Sequence, residues 1–310
     1  MLINCPKCGK KYKIDEKTLP PTVKTAQCKE CGERFQINIQ PKPTEGTVDP
    51  PKQEKPQRNT RRIAVSLSKG GVGKTTTSVN LSAGLALAGF KVLLIDTDTQ
   101  GQSSFYLGVK PEGGLAELVE GELPPEKAMV KARDNLWLLA GGKQLAGVKR
   151  IIDRKDFGGE LTLAETISPI EHNFDYVVVD TSPGWDPITV SVLFYVTELL
   201  IPISLEVMSV QGFGEFLKSI AAIQKYRKEV NIKYILPTFQ DRRVKKSSVI
   251  LDKFKDLYGD IVCKPIRYNS VLTENPAFGQ SIFEMAPGSK GAEDYRDLVR
   301  KVAGDPNCFK

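Results

Sequence analysis

One stretch constrains this chain more than any other: residues 62 to 78, RIAVSLSKGGVGKTTTS. An apolar run passes into a glycine-rich turn, and a helical pattern begins at the lysine that closes it. Gly70, Gly71 and Gly73 let backbone N–H groups approach phosphate oxygens closely, and the helix N-terminus that follows adds partial positive charge. The ordinary phosphate-loop pattern is a glycine, four residues, then Gly-Lys-Ser/Thr. Gly73, Lys74 and Thr75 supply its second half, but Ser68 stands where the first glycine belongs, with a second lysine, Lys69, beside it. On this reading Lys74 bridges the β- and γ-phosphates of a nucleotide and the Thr75 hydroxyl ligates Mg²⁺.

The rest of the chain supplies the fold that such a junction needs. Apolar runs at 62–67, 91–96, 135–141, 175–180, 198–203, 232–238 and 260–266 read as buried strands. Helical patterns at 74–89, 187–196, 208–229, 244–257 and 289–303 lie between or after them. Continuous apolar strands separated by helices imply an α/β fold, a mostly parallel, doubly wound sheet covered on both faces. Functional residues then belong at the carboxyl ends of the strands. Two strand ends there are acidic. LLIDTDTQG puts Asp96 and Asp98 after one strand, and YVVVDTSPG puts Asp180 at the end of another. Mg²⁺ takes such oxygen ligands, often through water. Asp180 and Asp96 are the expected metal carboxylates, and Asp98 is placed to orient or deprotonate an attacking water.

A different chemistry occupies the N-terminus. Cys5, Cys8, Cys28 and Cys31 form two C-x-x-C pairs separated by nineteen residues, the spacing of a zinc ribbon. Two such turns direct four thiolates at one point and complete a closed, structural tetrahedral shell. An iron–sulfur cluster and two disulfides are the other readings, the latter disfavoured in a cytosolic setting. YKI (12–14) and FQINI (35–39) are the expected ribbon strands. The divisions are a zinc ribbon at 1–39, a linker at 40–60 and a nucleotide domain at 61–310. The linker holds five prolines and Val48 as its only aliphatic residue. It cannot bury enough apolar surface to offset its ordering entropy, and as coil it would span about 25 Å.

The 310 residues suffice for one large domain and a small appendage. No run approaches the eighteen apolar residues of a membrane span, and MLINCPKCGKK has no apolar export region. A net charge of +7 permits an anionic partner.

Residues 62 to 303 resemble the ParA-type ATPases, whose phosphate loop is the deviant Walker A form K-G-G-x-G-K-[ST]-[ST]. Lys69, Gly70, Gly71, Val72, Gly73, Lys74, Thr75 and Thr76 match it. DTDTQGQ matches the second motif with Thr99 for a proline and Gln102 for an asparagine; DTSPG matches the third with Ser182 for a proline. The resemblance implies an ATP- and Mg²⁺-dependent P-loop NTPase with Lys69, Lys74 and Asp98 as catalytic residues. Lys69 would be the signature lysine that reaches the nucleotide of a second subunit, like an arginine finger supplied in trans. It further implies an ATP-dependent homodimer that binds non-specific DNA and lets go on hydrolysis, and slow turnover raised by a ParB-like or cargo-adaptor protein. The expected setting is cytoplasmic and nucleoid-associated, and the cargo a chromosome, plasmid or protein assembly.

Between residues 216 and 255 eleven Lys or Arg face only three acids. Such a concentration suits phosphate contacts. With the resemblance it marks Arg243, Lys245, Lys246 and Arg267 as DNA-binding candidates. Two rival readings come from neighbouring branches. A MinD-like membrane-surface ATPase would end in a basic amphipathic helix, whereas Gly304 and Pro306 stop this one. An iron–sulfur carrier or reductase-type ATPase would have to use the N-terminal cysteines. The ribbon is expected to dock the partner or cargo, with extra DNA contact as the alternative.

Overall fold

The computed structural model describes residues 2–13, 25–36, 59–240 and 245–309. They form two compact units, Met1–Lys55 and Pro56–Lys310. The small unit holds two antiparallel hairpins. One pairs β1 (Leu2–Asn4) with β2 (Lys11–Lys13), the other β3 (Thr25–Gln27) with β4 (Arg34–Gln36). The expected ribbon strands are thus present at shifted limits, and Ile14 and residues 37–39 fall outside the described residues. So does the expected linker, apart from residues 59 and 60. The Thr60 hydroxyl donates to the carbonyls of Glu171 and Phe174, both at 2.9 Å.

The large unit is built on β5 (Arg61–Val65), β6 (Val92–Asp96), β7 (Met129–Arg133), β8 (Leu136–Leu139), β9 (Tyr176–Asp180), β10 (Glu198–Ser204) and β11 (Asn231–Thr238). They make one sheet in the order β11-β10-β5-β9-β6-β8-β7, parallel except for β7 against β8. Alternate residues of each central strand feed separate cores on the two faces. Ala64, Leu93, Ile95, Val177 and Val179 point into one, and Ile63, Val65, Leu94 and Val178 into the other. That double burial is why these strands are continuously apolar.

Two parts of the sheet differ from expectation. The segment 260–266 is not a strand. It lies along β11, with Cys263 N–H donating to Ile235 O and Ile266 N–H to Pro237 O, but only isolated bridges form. Pro265 between them has no N–H to give, so the ladder cannot close. The edge strand β7 is the second difference. It folds back on β8 through Asp134 and Asn135, the latter at φ +59°. Short helices that the apolar pattern does not mark, among them Leu145–Arg154 and Thr162–Glu171, cover one face. Among the described residues no helix is long and apolar enough to cross a membrane.

Candidate nucleotide site and metal centre

The register of the sheet assembles the nucleotide site. Asp96 is paired with Asp180 across β6 and β9, and Val65, the last residue of β5, is also paired with Asp180. The glycine-rich loop leaves β5 at that level and turns into the helix Lys74–Leu87. Gly71 at φ +73° and Gly73 at φ +85° take the left-handed conformations that reverse the chain. The loop is fastened from outside: the Thr238 hydroxyl, at the end of β11, donates to Val72 O at 3.0 Å.

Lys74 is buried and its Nζ donates to the carbonyl of Lys69 at 2.8 Å. Burial pushes its ammonium down, against the pull of Asp180 and Asp98. The two buried carboxylates below it are differently engaged. Asp180 accepts from Ser78 Oγ at 2.9 Å and Ser103 Oγ at 3.4 Å, and the Thr75 hydroxyl also hydrogen-bonds to it. Asp96 accepts backbone N–H groups from Asp98 on one oxygen and from Ser103 on the other, both at 2.9 Å. It therefore also braces the turn that carries Asp98. Burial pushes both carboxyls up, and the charge of Asp96 raises Asp180 further. Two crowded carboxylates beside a threonine hydroxyl are a hard-oxygen donor set that a dication relieves, so the residues fit Mg²⁺.

Above them opens a cleft of about 400 Å³ lined by Gly70, Gly71, Gly73, Lys74, Thr75 and Thr76. Half-buried Asp98 stands on one wall, and Tyr106, Phe239 and Leu272 give it apolar sides. Lys74 lines this cleft; Lys69, half-buried on the same loop, lies outside its lining. Ser78, Ser103, Thr238 and Phe239 are contributors that motif spacing did not reveal. Ser78 follows Lys74 by one helical turn, a signal that could have been read. Phe239 stands immediately after a strand end, at φ +54°, with no pattern to mark it.

The second site is the ribbon. The four Sγ atoms lie within 4.8 Å of one another, and the cross pairs Cys5–Cys31 and Cys8–Cys28 are each 3.5 Å apart. Four thiolates on zinc at about 2.3 Å stand about 3.8 Å apart in a tetrahedron. A disulfide needs about 2 Å, so none is formed. The knuckles repeat one another: Gly9 N–H donates to Cys5 O, and Gly32 N–H to Cys28 O. Tyr12, unremarked in the sequence beyond its strand, bonds Cys28 Sγ at 3.1 Å and holds that thiol down to about 6. That favours a thiolate at Cys28, while burial and the neighbouring thiols push Cys8 and Cys31 up.

Arg243 lies outside the described residues. Lys245 and Lys246 open the helix Lys245–Tyr258, and their side chains are likewise outside the description. Arg267 is the one DNA candidate whose side chain is described. Its guanidinium bonds Asp294 at 2.6 and 3.0 Å and Glu293 at 2.8 Å, and its own N–H donates to Asp294 Oδ2 at 2.9 Å. These bonds tie it to the helix Lys290–Ala303.

Fold and site together define a P-loop nucleotide-binding protein with a deviant, two-lysine loop and an appended metal ribbon. Comparison with known proteins agrees. Residues 60–233 match the family described as AAA domain, and residues 1–36 match zinc-ribbon domain. The chain is 32% identical over 250 residues to the sporulation initiation inhibitor protein Soj of Bacillus subtilis, covering 78% of this chain and 98% of that one. It is 32% identical over 244 residues to the chromosome-partitioning ATPase Soj of Thermus thermophilus, covering 78% and 95%. Among solved structures, cobyrinic acid a,c-diamide synthase of Mycobacterium smegmatis with bound ADP and magnesium superimposes with a TM-score of 0.66 at 29% identity, covering 79% of this chain and 96% of that one. The chain belongs to the AAA-domain ATPases of the ParA/MinD type, with ATP, Mg²⁺ and zinc as its cofactors.

Proposed function

We propose that this ParA-like positioning ATPase dimerises when ATP binds, holds DNA non-specifically as a dimer, and releases it on hydrolysis. The observation that carries the reading is the unequal placement of the two lysines. Lys74 is buried, lines the cleft and reaches back to the loop's own carbonyl, a placement that supports its serving the phosphates in cis. Lys69 lies outside that lining and is suited to the nucleotide of a second chain. Magnesium, when bound, would neutralise charge on the β- and γ-phosphates. Thr75, Asp180 and Asp96 would hold it and its waters, the loop N–H groups would cradle the phosphates, and Asp98 would orient the attacking water. Tyr106, Phe239 and Leu272 offer apolar walls to a base.

Both Soj relatives match along nearly their full length, and the name of the second includes chromosome partitioning. Arg243, Lys245, Lys246 and Arg267 remain the proposed DNA contacts of the large unit. A ParB-like or cargo-adaptor protein would raise turnover. Action at the nucleoid in the cytoplasm follows from the same reading.

The test measures molecular mass with a slowly hydrolysed ATP analogue and magnesium, in parallel with DNA co-sedimentation. Wild type is expected to double in mass only when the analogue is present, and to sediment with DNA more strongly then than without nucleotide. Lys69→Ala is expected to bind the analogue and stay monomeric. A wild type that remains a monomer at saturation, or a Lys69→Ala variant that dimerises normally, defeats the proposal.

A further inference from the structure

The ribbon carries a charge pattern that its metal site does not use. Along β2 and β4 the middle residues Tyr12 and Phe35 are half-buried while their neighbours are exposed. The exposed positions include Lys11 and Lys13 on β2 and Arg34 on β4, and Lys29 is exposed on the second knuckle. Both acids of the described ribbon are taken up by other lysines: Glu33 by Lys7 at 3.3 Å and Glu30 by Lys10 at 3.1 Å. Neutral hydrogen-bonding groups, Asn4 and Gln36, are exposed at the ends of the same hairpins.

The chemistry of these exposed positions discriminates among ligands. A protein partner is anchored by apolar or aromatic side chains in pockets. Among the described residues every large exposed hydrophobic side chain lies in the large unit, none in the ribbon. Single-stranded nucleic acid needs exposed aromatic faces for stacking. Tyr12 and Phe35 are half-buried, and the Tyr12 hydroxyl is engaged by Cys28. Cations interspersed with amides, without an anchor, suit the sugar–phosphate backbone of a duplex.

We propose that the zinc ribbon is a second contact to double-stranded DNA, made to phosphates by Lys11, Lys13, Lys29 and Arg34 and independent of nucleotide. It rests on the reading of the chain as DNA-associated for the choice of duplex DNA. Because metal rather than ATP holds the ribbon together, this contact outlasts hydrolysis and keeps a released chain close to the DNA it has left.

The experiment uses the full-length, zinc-loaded protein and a random-sequence duplex, measured by fluorescence anisotropy across salt with and without ATP analogue. Wild type is expected to show weak, steeply salt-dependent binding without nucleotide, and a further gain with it. Replacing the four cations by glutamine should flatten the nucleotide-free slope of log affinity against log salt by up to about 3.6, and Lys11→Gln with Lys13→Gln by up to about 1.8. The gain from nucleotide should survive in both. Zinc content of one per chain certifies a folded ribbon; if the fourfold variant loses metal, the double variant decides. Absence of nucleotide-free binding by wild type, an unchanged slope in a zinc-replete variant, or equal displacement by polyglutamate or single-stranded DNA overturns the proposal. Loss of the nucleotide gain alone overturns the dimer-on-DNA reading and leaves the ribbon contact standing.

Discussion

Three alanine substitutions in the phosphate loop separate the loop's fold from its ligand chemistry. At Gly70 the backbone is not left-handed and an added Cβ meets nothing within 4 Å. At Gly71 the space is equally open but φ is +73°, a conformation costing an L-residue about 1–2 kcal/mol. At Gly73 φ is +85° and the Cβ would stand 3.2 Å from Phe239 Cζ, so ring displacement adds to the backbone cost. Phe239 is itself at φ +54° behind Thr238, which is bonded to the loop, so it has little freedom to retreat. The expected losses are under about 1 kcal/mol for Gly70→Ala, about 1–2 for Gly71→Ala and about 2–3 for Gly73→Ala. In a unit of this size each kcal/mol moves the melting temperature by about 2–4 °C. Thermal melts without nucleotide should therefore rank Gly73→Ala below Gly71→Ala below Gly70→Ala. A second set of melts with saturating Mg–ATP tests the ligand side. Gly70 lines the cleft, so its methyl obstructs phosphate approach, and Gly70→Ala should lose most of the ATP-induced rise despite an ordinary melt without ATP. A Gly73→Ala protein that melts like wild type, or a Gly70→Ala protein that melts lower than Gly73→Ala, refutes the loop geometry argued above.

Three further outcomes follow. Thr238→Val removes the only hydroxyl described on Val72 O in a buried position; a loss of about 1–3 kcal/mol is expected by denaturant unfolding, with weaker ATP binding by calorimetry. Arg267→Ala strips the guanidinium from a carboxylate, Asp294, whose side chain is only 9% exposed, and should cost about 3–5 kcal/mol by denaturant unfolding. A chelator should release one zinc per chain, and Tyr12→Phe should speed that release, whereas the melt of the large unit stays in place; metal analysis and calorimetry read both.

Much of the nucleotide site was legible because its information is local. The loop from Ser68 to Thr76 and the acids after two strands sit at motif spacing, and chemistry that depends on neighbours in sequence can be read from neighbours in sequence. The cysteine pairs are legible for the same reason: each knuckle is a closed turn of five residues. Segment 260–266 shows where that reading stops. Its apolar content says strand, yet a single proline and the position of β11 decide that only isolated bridges form. Arg267 shows it more sharply. By charge and position it suits DNA, and only packing of the last long helix reveals Asp294 and Glu293 waiting for it.

What the sequence determined by itself was the set of local devices: the two-lysine turn, the acidic strand ends and the four thiols, each specified by residue type and spacing. What tertiary structure alone decided was which of these share a volume. The register that sets Asp96 beside Asp180, the Thr238 hydroxyl reaching the loop from β11, and the Tyr12 hydroxyl on Cys28 all join residues that chain order keeps apart. The physical reason is that pairing between strands and burial against a common core act across space, and a linear pattern records only which face a residue prefers, not which partner it will find there.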